Sequence, residues 1–89
     1  MAKQLVRIDT YIEEFFKNDE GLHSEFLINE VKIEALKSIF VASQDDPELY
    51  EAYEITLIEA EKINALLDSK IPFDFDNYEY LLQRYGEYA

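Results

Sequence analysis

The chain has 89 residues, enough for one small domain, and 48% of them are hydrophobic, too many for a disordered tail. It carries 20 acidic side chains against 8 basic ones. The resulting net charge of −12 repels nucleic acid and anionic membrane surfaces and suits a cationic protein partner. There is no cysteine, which excludes a disulfide framework and thiolate chemistry.

The N-terminal stretch MAKQLVRIDTYIEEFF is interrupted by Lys3, Arg7, Asp9, Glu13 and Glu14, so it lacks the apolar region of a signal peptide. No window approaches the roughly 18 apolar residues of a membrane span. These features, with the missing cysteines, fit a cytoplasmic protein. Two glycines and two prolines leave little room for long loops, so residues 1–89 read as a single domain.

Leu5 to Phe16 reads as a first strand. Val6, Ile8, Ile12 and Phe16 share one face at period two, which Thr10 and Glu14 interrupt, while Tyr11 and Phe15 lie on the other. Ile8, Tyr11, Ile12 and Phe15 also fit helical spacing. The strand is preferred because KNDEG follows, a turn sequence with Gly21 able to take positive φ. Leu22, Ser24, Phe26 and Ile28 then alternate as the return strand of a hairpin.

From Lys32 to Ala42 the period becomes helical, with Ile33, Leu36, Ile39 and Phe40 facing inward until SQDDP ends the helix. Tyr50 to Ile55 is a candidate third strand. Thr56 and Glu59 form a T-x-x-E capping box for a second helix, whose buried stripe is Ala60, Ile63 and Leu67. DSKIPFDFD reads as an extended linker, with Phe73 and Phe75 opposed to Asp74 and Asp76. Asp76 and Glu79 repeat the cap signal, so Tyr78, Leu81, Leu82 and Tyr85 are expected on a last helix. Tyr78, Tyr80 and Leu82 also fit a terminal strand. The fold class is therefore α+β: a small antiparallel sheet, built from the N-terminal hairpin and a possible third strand, with two or three helices on one face.

Catalytic and metal signatures are weak. His23, the one histidine, sits beside a predicted turn, where a structural or solvated role is the rule. No serine lies in a Gly-flanked nucleophile elbow, and two glycines cannot build a phosphate-cradling loop. Asp74, Asp76 and Glu79 suggest Ca²⁺ only loosely, because the loop glycine is missing and Tyr78 stands where Asp or Asn belongs. No catalytic residue, metal ligand or cofactor is expected.

What remains is association. From Ser43 to Glu61 there are seven carboxylates and no Lys or Arg. Within that run Asp45, Asp46, Glu48, Glu51 and Glu54 interleave with Tyr50 and Tyr53. Asp74, Asp76 and Glu79 repeat the theme beside Tyr78. Carboxylates accept paired hydrogen bonds from Arg, and tyrosine faces attract cations, so these eleven residues are the candidate partner-binding set. For any one of them, a tyrosine half-buried in the core or a merely solubilising acid is the competing explanation.

The motifs DDPELYEAYEIT, EAEKI and PFDFDNYEYLL, in that order after YIEEFFKNDEGL, resemble those of small acidic bacterial toxin-immunity proteins of contact-dependent growth inhibition or colicin-like systems. That resemblance implies a protein, monomeric before binding, that occludes a cognate cationic toxin domain, a nuclease in most such systems. It supplies no interface residues. An acidic adaptor or nucleic-acid mimic binding another basic protein is the alternative. A homo-oligomeric structural protein is a third reading, which the like charge disfavours.

Overall fold

A computed structural model describes residues 4–19 and 21–88, in the order β1 (Leu5–Phe16), β2 (Leu22–Leu27), α1 (Ile33–Ile39), β3 (Tyr53–Glu54), α2 (Leu57–Leu66) and β4 (Tyr78–Tyr88). The four strands form one antiparallel sheet in the order β2-β1-β4-β3. The architecture is α+β, as the sequence predicts. The expectations for the Val6 side chain and for Glu20 in the turn lie outside the described residues.

The first hairpin follows from alternation and turn chemistry. Asp19 supplies the turn, its carboxylate accepting the Gly21 N–H at 2.8 Å. Among the described residues, positive φ falls not in this turn but at Leu49, at 59°. The register of the hairpin shifts where Glu14 faces Ser24 but Phe15 faces Leu22. His23 is thus the extra residue of a β-bulge, which turns its ring toward Glu14.

The last element corrects the helix expected over Tyr78–Tyr85. These residues are the strand β4, paired with β1 from Arg7↔Glu87 to Phe16↔Tyr78 and with β3 at Tyr53↔Leu82. A helix would scatter Tyr78, Tyr80 and Leu82 around its circumference. The strand puts Tyr80 and Leu82 side by side in the core, at 1% and 0% exposure. The cap signal at Asp76 and Glu79 is consequently unused. Instead Asp74 closes a turn: its carbonyl accepts the Tyr78 N–H at 3.0 Å and its carboxylate the Asn77 side-chain amide at 2.8 Å.

The helices are shorter than or equal to their predicted spans. α1 ends at Ile39, with Phe40 as its C-cap, rather than running to Ala42. α2 begins behind Thr56, whose backbone N–H and hydroxyl both donate to Glu59. Ala60, Ile63 and Leu67 are buried as the stripe requires. They join Leu36, Phe40 and Leu49 in a core that covers the sheet face bearing Ile12, Tyr80 and Leu82. That face also carries Thr10 and Glu14, the two polar residues that interrupt the apolar pattern of β1. Both are buried. Among the described residues no helix is long and apolar enough to cross a membrane.

Candidate interaction surface

The cation-free run is served from elsewhere in the chain. Lys37 of α1 reaches the Glu48 carboxylate at 3.0 Å. Arg84 of β4 donates to the Glu48 carbonyl, with its guanidinium 5.5 Å from the centre of the Tyr50 ring. Folding therefore offsets part of the run through residues that are distant in sequence.

Asp46 departs most from its expected place at a binding surface. Its side chain is buried, one oxygen accepting the Tyr50 N–H at 2.8 Å. The other accepts the Glu51 N–H at 2.8 Å and the Tyr53 hydroxyl at 2.7 Å. Burial pushes its carboxyl up, but these three donors outweigh burial and hold it below the ordinary carboxylate range. Burial, and then the Asp46 carboxylate, push the Tyr53 hydroxyl above its usual value. Asp46 is thus the clasp of the loop that holds Leu49 in its left-handed conformation. Tyr53 packs beside Phe40 at 6.1 Å between ring centres and is a core contact.

The other expected residues separate into four groups. Asp45, Tyr50 and Glu51 are exposed on the loop, with Glu48 beside Lys37. Asp74 and Asp76 lie in the turn before β4, Asp74 partly buried and Asp76 exposed. Tyr78 faces the covered side, stacked on His23 with centres 4.7 Å apart and rings 7° from parallel. Glu54 and Glu79 project from β3 and β4 on the side of the sheet away from the helices.

Beneath the Tyr78–His23 stack lies a buried polar cluster. Glu14, 6% exposed, contacts His23 Nδ1 at 2.5 Å through one oxygen and accepts the Tyr80 hydroxyl on the other. The Tyr80 hydroxyl in turn accepts the Asp74 N–H at 2.9 Å. Burial, and then the Glu14 carboxylate, push the Tyr80 hydroxyl far above the ordinary tyrosine range. Among the described residues no buried side-chain polar atom lacks a partner, so the cluster fastens β1, β2 and β4 together.

The uncovered sheet face carries residues that sequence reasoning missed. Tyr11, Glu13 and Phe15 of β1 point there, with Glu25 and Leu27 of β2 and Leu81, Gln83 and Tyr85 of β4. Tyr11 and Tyr85 meet edge to face at 6.0 Å. Tyr85 donates to Glu13 at 2.9 Å. Burial, then Glu13, push the Tyr85 hydroxyl up to about 12. A groove of about 460 Å³ runs beside them, lined by Phe15, Glu54, Glu79, Tyr80 and Leu81. The available signal was the second apolar alternation in β1, Tyr11 and Phe15, which marks a strand with aromatic residues on both faces.

Among the described residues, no three His, Cys, Asp or Glu side chains converge as a metal site. The arrangement instead offers carboxylates beside aromatic rings, a chemistry suited to guanidinium and ammonium groups. No curated protein and no solved structure matches the chain. Residues 9–83 match a family described as a domain of unknown function, DUF7683, and span the chain from β1 into β4. By that match the protein belongs to the DUF7683 family.

Proposed function

We propose that this protein is an immunity protein: a binding module of the cytoplasm that neutralises a cationic toxin domain, a nuclease, by covering its nucleic-acid-binding surface. The observation that carries the reading is the uncompensated acid. Among the described residues, lysine and arginine ion pairs hold only Asp9, Glu48 and Glu87, against a net charge of −12. Self-repulsion of that size costs stability, and a cationic partner converts the cost into attraction. The protein acts by association, not by chemistry.

Opposite charge steers encounter, and association at low salt reaches about 10⁸–10⁹ M⁻¹s⁻¹ in such pairs. Speed matters where free toxin destroys nucleic acid. The test is co-expression with the product of the adjacent gene, scored by cell survival and by isolation of a complex, with association rates followed across a salt series. Survival, a stable complex and a steep fall in rate with salt are expected. Failure to protect, or a rate indifferent to salt, overturns the reading.

A further inference from the structure

We propose that the uncovered face of the sheet, and not the loop over residues 43–52, is the docking surface, and that its occupant is a protein presenting arginine side chains within an apolar patch. The proposal rests on the reading of this chain as a binding module and gives that module a surface and a chemistry.

The helices leave this face bare. Leu22, Leu27 and Tyr85 are 51%, 54% and 48% exposed, and Tyr11, Phe15 and Leu81 are only partly buried beside them. An apolar, aromatic surface held across three strands is preorganised for contact and contributes little to this chain's own core.

Its charge selects the occupant. The outward positions hold Asp9, Glu13, Glu25, Glu54, Glu79 and Glu87. Among the described residues of those positions the one cation is Arg7, already engaged by Asp9 at 3.1 Å and Glu87 at 2.8 Å. Glu13 and Glu25 stand directly opposite each other across β1 and β2, a like-charge pairing that costs stability in an isolated sheet. Glu13 is 6% exposed, and among the described residues its hydrogen-bond donor is the Tyr85 hydroxyl on one oxygen alone. A second copy of this chain stacked on the face would set these carboxylates against their own kind. A cationic partner answers all of them.

Arginine fits better than lysine. A planar guanidinium donates in pairs to an exposed carboxylate such as Glu25 while its face lies on a tyrosine ring, here Tyr11 or Tyr85. Its weaker hydration also lowers the cost of burial against Phe15, Leu27 and Leu81. The loop is a poorer dock: Asp46 is consumed by its own clasp, Glu48 is paired with Lys37, and Arg84 already occupies Tyr50.

The test is a backbone NMR titration of the intact chain with a synthetic peptide of alternating Arg and Leu, alongside matched Lys/Leu and Glu/Leu peptides. The expected result is shifts confined to outward residues of the sheet strands β1 to β4, binding by the Arg peptide several-fold tighter than by the Lys peptide, none by the Glu peptide, and weakening with salt. Glu25→Lys with Glu54→Lys should weaken binding at least about tenfold, while Glu34→Gln with Glu61→Gln, on the helices, leaves it unchanged. Retention of the dispersed amide spectrum shows that each variant is folded.

Shifts centred on residues 45–51 overturn the proposal. So do equal affinities for the Arg and Lys peptides, absence of binding, self-association through this face, or a larger loss from Asp45→Lys with Glu51→Lys. Loss of cell protection with the peptide map intact refutes the toxin reading alone. Protection that survives Glu25→Lys with Glu54→Lys refutes the surface alone.

Discussion

Removing one oxygen at Tyr80 tests the energetic centre of the fold. In Tyr80→Phe the ring keeps its place against Phe73 and Phe75, at 4.8 and 5.1 Å between centres. Two hydrogen bonds go. The buried Glu14 carboxylate loses a donor and retains His23 alone, and the Asp74 N–H loses its acceptor. A bond to a charged group contributes about 1.5–3 kcal/mol and a neutral one about 0.5–1.5. The variant should therefore be less stable by about 2–4 kcal/mol. At about 4–8 °C per kcal/mol for a domain of this size, the midpoint of thermal unfolding should fall by at least ~8 °C. Circular dichroism against temperature and urea measures it. Tyr78→Phe, whose ring stacks on His23 and whose hydroxyl is in no hydrogen bond among the described residues, is the control and should change stability by less than about 0.5 kcal/mol. If Tyr80→Phe is equally mild, Glu14 is not held as the structure has it, and the account of the buried cluster is refuted.

Ile12 and Leu82 face each other across β1 and β4, both wholly buried, so Leu82→Ala should cost about 2–5 kcal/mol by urea unfolding, while Leu27→Ala on the open face should cost under about 0.5. Thr56→Ala removes a donor to Glu59 and unlocks the capping box; a loss of about 1 kcal/mol is expected by thermal unfolding. Asp46 and Glu59 are held below the ordinary carboxylate range, so their contribution is complete above it and is lost as pH falls through the lower folded values. Stability should accordingly drop below about pH 4, and Glu59→Gln should flatten that drop in denaturant titrations run at each pH. Tyr85, at about 12, gives the opposite sign. Its contribution is present below the ordinary value near 10 and lost as pH rises toward 12. Ultraviolet absorbance should show a late-titrating tyrosine that shifts down in Glu13→Gln.

How legible the site was depended on distance along the chain. The acid–aromatic chemistry is written in the residue types, and Glu54 and Glu79 do reach the open face. Their neighbours there, Tyr11, Glu13, Glu25 and Tyr85, come from three strands and become adjacent only through pairings that join residues as distant in sequence as Asp9 and Tyr85. Asp46 could not be told from Asp45 by sequence, since what distinguishes them is a turn that aims two N–H groups and a hydroxyl at one carboxylate.

The sequence by itself determined the elements whose signals are local. Alternation over Leu5–Phe16, turn chemistry before Gly21, and the reciprocal Thr56–Glu59 cap each act within a few residues, so neighbouring side chains suffice to specify them. The tertiary structure decided the fate of residues 78–88. Their helical and extended patterns are both present, and β1 supplies a twelve-residue edge whose hydrogen bonds and buried Ile12 favour the strand. It also decided which acids face water and which clasp a loop or anchor a tyrosine, because burial and hydrogen-bond geometry arise only when distant segments meet.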